Sequence, residues 1–348
     1  MATRRLTKTG SFNLGRQSPK NDLSILDNKH ITLPDEIFTL QLNILEMEAW
    51  LLPSLVLKIF KTFLLRFDYQ KVSPMALREF IIDICDAYLE VPYHNLHHAT
   101  NVLHITYILL EKCDGFRIFN QDILFATLIA AFAHDVGHPG HNNLFEINSF
   151  SDLAIKYNDM SVLEQHHCSL AFELIKKHNL HSLWSREEFV VVRQTIVSCI
   201  LGTDMAKHKE QTESLKSIHL SVDGQMTTSQ QITLCKLLLH AADIGNPILE
   251  PTMCEEWSRL VAQEFHNQGQ KERQLGLVIS TPFDIENELS FFSGEMKYIQ
   301  FVCLPYWKAL DEAFSGFNDE LNMVVRNLNS YTQKHDQLAE SIDPQQYS

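Results

Sequence analysis

The sequence predicts an all-α fold, a compact domain of many helices, and three observations support this prediction. From about residue 36 onward, apolar residues recur at helical spacing, as in 103–110 and 189–200. The one run with strand-like composition, 275–280, is short, isolated and followed by a proline, so we expect a loop there. Hydrophobic residues make up 45% of the 348 residues, which is enough for a large core.

The chain is expected to form one domain over residues 36–335. Residues 1–35 have weak periodicity and are expected to be an N-terminal tail, partly helical or disordered. Residues 336–348 turn polar and are expected to be a C-terminal tail. No internal repeat or linker composition interrupts the segment between these tails.

Two segments in the first half of the domain predict helices. If YHNLHH at 93–98 opens a helix, His94 and His98 are one turn apart on the same face; the alternative is a polar loop with surface histidines. The 123–133 segment is apolar all round, which predicts a helix buried on every side.

Two further segments carry helix boundary signals. SVLE at 161–164 has the spacing of a capping box, with Glu164 as the partner of Ser161, and predicts a helix start near Val162. The apolar segment before Asp243 predicts another helix, which the Gly-Asn-Pro sequence at 245–247 ends.

Composition excludes several classes of function. The net charge of −14 makes broad nucleic-acid binding improbable. No run of about 18 apolar residues predicts a transmembrane segment, and the basic N-terminus lacks the apolar region of a secretory signal. The seven scattered cysteines include no CxxC pair and indicate free thiols in a reducing compartment. We therefore expect a cytoplasmic (intracellular) protein, with any membrane association provided by regions outside this chain.

Four residues of metal-ligating type lie next to apolar helices: His98, His134, Asp135 and Asp243. A buried charge is costly unless it is paired or bound to a metal. Each alone has a simpler interpretation, such as a surface histidine or an aspartate that ends a helix and binds water. Together they form a nitrogen and oxygen set suited to zinc, with an aspartate able to bridge to a water-rich magnesium site. Such paired metals, about 3.5–4 Å apart, would share a hydroxide for in-line attack on a phosphoryl group.

Six ordered motifs resemble those of class I cyclic nucleotide phosphodiesterases over residues 60–320: YHNLHHA, HDVGHPGHNN, SVLEQHH, GTDMAKH, AADIGNP and EFHNQG. GTDMAKH and VLEQHH are most similar to kinetoplastid protozoan members, of the C type. The resemblance implies a catalytic domain of about sixteen helices with a metal-containing cleft. It implies hydrolysis of the 3′ phosphoester of cAMP or cGMP to the 5′ monophosphate. It also implies regulatory or targeting domains outside this chain.

The resemblance also implies roles for individual residues. His98, His134, Asp135 and Asp243 would hold a tight zinc ion, and Asp135 would bridge to a second site for Mg²⁺ or Mn²⁺. His94 would be the general acid on the 3′ oxygen, oriented and kept protonated by Glu264. The water shell of the second metal would be positioned by His138, Glu164 and Thr203. The substrate would be bound by Tyr93, Ile244, Asn246, Val261, Glu295 and Tyr298, the purine lying between Val261 and Tyr298.

The sequence departs from the family pattern at three positions. Gly137 and Asn101 stand where the family usually has aspartate, and Glu295 stands where it has the glutamine that binds the purine edge. An amide both donates and accepts, whereas an ionised carboxylate only accepts. Ionised Glu295 would suit guanine N1–H and N2–H, and protonated Glu295 would recover a donor for adenine N1. Gln300, about 140° further round a helix, is not expected to substitute.

Two alternative functions stay open at this stage. One is another HD-type metal phosphohydrolase, or a di-iron protein, acting on a different substrate; the ordered motifs argue against it. The other is a non-catalytic module that binds a cyclic nucleotide or a partner, suggested by Glu295 and Gly137. The retained metal ligands and His94 argue against this second alternative.

Overall fold

The structure is a computed structural model that describes residues 33, 37–218, 226–280, 287–314 and 316–341. Within these ranges there are fifteen α-helices and no strand, which confirms the predicted fold class. The helices are α1 (Leu52–Phe67), α2 (Pro74–Ala87), α3 (Leu96–Lys112), α4 (Gly115–Ile118), α5 (Gln121–Ala133), α6 (Asn143–Asn148), α7 (Asp152–Tyr157), α8 (Val162–Lys177), α9 (Arg186–Leu201), α10 (His208–Lys216), α11 (Thr228–Asp243), α12 (Pro251–Leu275), α13 (Glu288–Tyr298), α14 (Leu304–Phe314) and α15 (Asn318–Ser341). A π-helical segment, Ile299–Cys303, joins α13 to α14.

Helix α5 lies at the centre of the core. All its residues from Ile123 to Ala133 are buried, and it packs against α3, α9 and α11. Since an apolar surface all round a helix must be covered on every side, this confirms the prediction for 123–133. The helix ends at Ala133, so His134 and Asp135 emerge from the middle of the core.

Helix α3 begins later than the 93–98 pattern suggested. Asn95 is its N-cap and accepts hydrogen bonds from the backbone N–H groups of His97 and His98, so the first helical residue is Leu96. His94 therefore precedes the helix instead of lying one helical turn before His98. The Asn95 amide also donates to the carbonyl of Val91, which fixes the turn that carries His94.

Helix α8 begins at Val162 as predicted, but the prediction of a capping box at its start is wrong. Ser161 has a left-handed backbone (φ 44°) and makes no side-chain cap bond. Its hydroxyl instead donates to Asp204 Oδ2 at 2.6 Å. The Glu164 carboxylate accepts from the Asn143 amide at 3.0 Å and 3.2 Å. Tertiary partners replace the local reciprocal bonds, since these groups lie between packed helices.

The predicted tails have different outcomes. The N-terminal tail, 1–35, lies outside the described residues apart from Leu33. At the other end, α15 continues beyond the boundary predicted at 335 and ends at Ser341. Val324 and Tyr331 of this helix are buried, and Leu338, beyond the predicted boundary, still packs against the core. The strand-like run is a loop from Gly276 to Ser280.

Two global expectations from composition can be compared with the structure. All seven cysteines are buried free thiols. No single described helix is long and apolar enough to span a bilayer. One pair of segments, Arg186–Leu201 and Met205–Lys216, would be long and apolar enough only if counted together, and an 88° bend separates them.

The Asn95 cap gives a test of how the site is anchored. Asn95→Ala removes the acceptor for two backbone N–H groups, so we expect the free energy of unfolding in urea to fall by about 1 kcal/mol. Asn95→Asp keeps the acceptor and should retain most of that stability. An alanine variant as stable as the unmodified protein would contradict the assignment of this cap.

Candidate active site

Four side chains from three parts of the chain converge on one point. His98 lies near the start of α3, His134 and Asp135 follow α5, and Asp243 is the last residue of α11. His98 Nε2 lies 3.1 Å from Asp243 Oδ1 and 3.2 Å from His134 Nε2. Asp135 Oδ2 lies 3.3 Å from His98 Nε2 and 3.2 Å from His134 Nε2. The structure thus brings together all four residues predicted to hold the tight metal.

The spacing of these atoms fits a shared cation. Atoms that bind one ion at about 2.1 Å lie about 3.0–3.4 Å apart in octahedral or tetrahedral geometry. His134 Nδ1 donates to the Ala131 carbonyl at 2.9 Å, which leaves a lone pair on Nε2 of the neutral ring. Asp135 Oδ2 is buried and accepts no hydrogen bond. A divalent cation would satisfy these facing lone pairs, so the residues present fit a metal.

A second cluster lies beside the first and is built on Glu264 of α12. His94 Nδ1 lies 2.5 Å from Glu264 Oε1, while Glu264 Oε2 accepts from the backbone N–H groups of Tyr93 and His94. Burial lowers the pKa of His94, but the charge and hydrogen bond of Glu264 outweigh it and raise that pKa to about 9. Burial raises the pKa of Glu264, but His94 outweighs it and lowers that pKa to about 2. The pair is therefore an imidazolium and a carboxylate at neutral pH.

His138 belongs to the second cluster and lies between His94 and His167. Its ring stacks on that of His94, with centroids 4.0 Å apart, and on that of His167 at 5.6 Å. Its Nδ1 accepts from the backbone N–H of Gly140, so the neutral ring carries its proton on Nε2. Burial lowers the pKa of His138, and the charge of His94 lowers it further.

His167 was missed in the prediction of site residues. Its Nδ1 donates to the Val136 carbonyl at 2.9 Å, and its Nε2 lies 3.7 Å from Asp135 Oδ1, the oxygen turned away from the four-residue cluster. The signal available in the sequence was its position three residues after Glu164, on the same face of α8.

Glu164 and Thr203, the other residues predicted around the second metal, have different surroundings. Burial, the charge of nearby Asp204 and a smaller effect of Asp135 raise the pKa of Glu164 to about 7, although the Asn143 amide bond opposes this. Glu164 is thus within electrostatic reach of the metal cluster. Thr203 is buried after α9, and its hydroxyl donates to the Ile200 carbonyl at 2.8 Å.

One wall of the predicted base pocket adjoins the four-residue cluster. The Asn246 amide donates to the Tyr93 hydroxyl at 2.9 Å, and the Tyr93 ring lies 4.5 Å from the ring of His98. Ile244 directly follows Asp243, and its carbonyl accepts from the Cys303 thiol at 3.8 Å.

The residues predicted for the opposite wall of the base pocket lie on α12 and α13. Val261 and Tyr298 are partly buried and pack against the core. Glu295 is 9% exposed, and Ser258 donates to its Oε2 at 2.7 Å. Burial raises the pKa of Glu295 to about 7, against a smaller effect of the Ser258 bond. Gln300 is exposed, which agrees with the prediction that it does not substitute for Glu295.

The backbone conformation explains why residue 137 is glycine and not the aspartate of the family pattern. Gly137 has φ +77°, and a Cβ at this position would lie 2.5 Å from Leu170 Cδ1. An aspartate would therefore be strained and would displace Leu170. Asn101, the other departure, is buried in α3, and nothing in the structure explains its replacement of aspartate.

The chain is similar to known proteins over most of its length. The profile of the 3′,5′-cyclic nucleotide phosphodiesterase family matches residues 93–324. High affinity cGMP-specific 3′,5′-cyclic phosphodiesterase 9A of Drosophila melanogaster is 33% identical over 72% of this chain and 16% of its own length. The Mus musculus protein of the same name is 30% identical over 70% of this chain and 46% of its own length. The chain thus spans less than half the length of these relatives.

The fold has a close counterpart among solved structures. The phosphodiesterase domain of the RhoPDE fusion protein from the choanoflagellate Salpingoeca rosetta superposes with a TM-score of 0.82 at 31% identity, covering 92% of this chain and all of that one. The finer similarity to kinetoplastid members of the C type stays a prediction. The profile match, the identity to these relatives and the shared fold show that this chain belongs to the 3′,5′-cyclic nucleotide phosphodiesterase family.

Proposed function

We propose that this chain hydrolyses the 3′ phosphoester of a 3′,5′-cyclic nucleotide, cAMP or cGMP, to the 5′-nucleoside monophosphate. The observation that carries the proposal is the adjacency of a metal-ligating cluster and a charged His94–Glu264 pair, the rings of His94 and His98 lying 5.5 Å apart. Family membership supports the same reaction. We place the protein inside the cell, and assign regulation and targeting to parts of a longer protein.

The donor set suggests which ions would be held. Two imidazoles and two carboxylates suit zinc in the tight site, and Asp135 Oδ1 is available to a second ion that prefers oxygen, Mg²⁺ or Mn²⁺. When bound, these ions supply positive charge at the phosphate and activate water for attack. His138, Glu164 and Thr203 would orient the water around the second ion.

His94 would protonate the leaving 3′ oxygen. Glu264 holds Nδ1 of the ring, so the proton available to the substrate is on Nε2. Because Glu264 also accepts from two backbone N–H groups, its carboxylate fixes both the orientation of the imidazole and the loop that carries it. The pair would keep the acid protonated over the neutral pH range, as its raised pKa requires.

The purine would occupy the space between α12 and α13. Val261 and Tyr298 would hold the two faces of the ring, while Tyr93, Ile244 and Asn246 would line the side nearest the metal cluster. Both relatives described above carry cGMP-specific names. An ionised Glu295 at the purine edge would also favour guanine, because a carboxylate only accepts hydrogen bonds and guanine offers the donors N1–H and N2–H.

The direct test is hydrolysis of cAMP and cGMP with Mg²⁺, before and after strong chelation. We expect the 5′ monophosphate to form and its formation to stop when the metals are removed. Binding of a nucleotide without turnover in the metal-loaded protein would favour the non-catalytic module. Turnover of a different phosphate ester alone would favour another HD-type phosphohydrolase.

Asp243→Ala tests the metal cluster. Removing one of four ligand groups should release the tight metal and lower turnover by more than about a hundredfold, while the far-ultraviolet circular dichroism stays helical. Metal analysis after dialysis measures the first effect, and Asp336→Ala, at an exposed residue of α15, is the control. Retained metal and activity would mean that Asp243 only ends α11.

Glu264→Gln tests the general acid. Glu264 raises the pKa of His94, so an uncharged amide should lower that pKa and move the alkaline limb of the kcat profile to lower pH. We also expect kcat to fall by about 10²-fold. Glu256→Gln, on the same helix, is the matched control. An alkaline limb that does not move in Glu264→Gln would contradict this role.

A further inference from the structure

A chain of hydrogen bonds ends on the buried carboxyl group of Glu295. The Tyr331 hydroxyl on α15 donates to Ser258 Oγ at 3.1 Å, and Ser258 on α12 donates to Glu295 Oε2 at 2.7 Å. Ser258 is 5% exposed and Tyr331 is 3% exposed. Because Tyr331 occupies an acceptor site of Ser258, the serine proton is directed to Oε2. Oε1 and the second lone pair of Oε2 are then left for a ligand.

No cation neutralises this carboxyl group among the described residues. The titratable groups facing it are Cys254 on α12, Cys303 on the π-helical segment and Tyr331 on α15, all neutral because burial raises the pKa of each. Basic side chains on the two helices that carry Ser258 and Tyr331 have other partners: Arg259 binds Glu255 and Glu288, and Lys334 binds Glu255. The cost of ionising Glu295 is therefore offset only by the serine hydroxyl.

The carboxyl group of Glu295 and the ring of Tyr298 are three residues apart on α13 and therefore share one side of that helix. The charge of Glu295 acts on the Cys303 thiol, which donates to the carbonyl of Ile244, the residue after Asp243. One helical turn further along α13, Tyr298 is within electrostatic reach of Tyr93 and Asp243. A purine between α12 and α13 would present its Watson–Crick edge to the two oxygens of this carboxyl group.

The two purines make opposite demands on such a group. Guanine offers the donors N1–H and N2–H, which match the two oxygens of an ionised carboxylate. Adenine offers one donor, at N6, and one acceptor, at N1, so it needs a group that donates as well as accepts. A protonated carboxyl supplies both, as an amide would, whereas an ionised one places a lone pair against adenine N1.

We propose that Ser258 and Tyr331 are positioning residues that make the choice between cGMP and cAMP depend on whether Glu295 carries a proton. Fixing Oε2 as an acceptor confines the exchangeable proton to Oε1, at the purine edge. The ionised enzyme then selects cGMP, and the protonated enzyme accepts both nucleotides. This inference rests on the proposed function, since it needs a cyclic nucleotide in the cleft.

The burial of Glu295 determines the pH at which the selectivity between cGMP and cAMP should change. Burial raises its pKa to about 7, so the group is mostly protonated below neutral pH and mostly ionised above it. The selectivity for cGMP over cAMP should therefore rise as the pH increases through neutrality.

The test is a competition experiment with the unmodified, metal-loaded protein. Both nucleotides are supplied in one reaction, and the ratio of kcat/KM for cGMP to that for cAMP is measured from about pH 6 to about pH 8.5. Effects of pH on the metals and on His94 act on both substrates and cancel in the ratio. We expect the ratio to rise roughly tenfold to a hundredfold, the discrimination that one bidentate contact gives.

Three variants locate the effect. Glu295→Gln has no proton to lose, so its ratio should be flat with pH and cAMP should be used at high pH. In Ser258→Ala the ionised carboxylate loses its donor, so the pKa of Glu295 rises and the midpoint of the change should move to higher pH. Tyr331→Phe frees the serine to turn away and should move the midpoint in the same direction. Glu340→Gln, at an exposed residue of α15, is the control and should behave as the unmodified protein does.

The outcomes separate the two proposals. Failure of the unmodified protein to hydrolyse either nucleotide would overturn the proposed function. Hydrolysis of both with a ratio that does not change with pH would leave that function intact and overturn the inference. So would a Glu295→Gln variant that keeps the pH dependence.

Discussion

The organisation of this protein depends on two carboxylates that face two imidazoles inside a helical core. Asp135 and Asp243 meet His98 and His134 with ligand atoms 3.1–3.3 Å apart, and in the described part of the chain their partners are imidazoles, not lysine or arginine. Burying such charges without a counterion is costly, and a divalent cation removes that cost. Helix α5, buried from Ile123 to Ala133, ends directly before two of these four groups, His134 and Asp135.

A cation held by these buried carboxylates would also explain how an acidic protein could bind an anionic cyclic nucleotide. The chain carries a net charge of −14, which would repel a cyclic phosphate. Under the proposed function, bound cations and the His94 imidazolium would reverse the sign of the field locally. Glu264 stabilises that imidazolium through its contact with Nδ1. In the same proposal, the purine edge would be bound by a further carboxyl group, Glu295, which has no cationic partner among the described residues.

The sequence could predict the parts of this arrangement that depend on residues close together in the chain. The apolar run before His134 predicted the buried helix, and the ligand types at helix ends predicted the cluster. Prediction from the sequence failed at Ser161, where a long-range partner, Asp204, replaces the local cap. It also failed at His94, because the local cap at Asn95 starts α3 after that residue. The Tyr331–Ser258–Glu295 chain joins residues 73 and 37 positions apart, and no local pattern encodes it.

The most direct test of the central claim is X-ray absorption of the unmodified protein loaded with zinc in the tight site. Convergence of these four side chains predicts a first shell of nitrogen and oxygen only, at about 2.0–2.2 Å, with the outer-shell scattering of two imidazole rings. A sulfur neighbour at about 2.3 Å, a shell without imidazole, or a protein that keeps no zinc after dialysis would contradict it.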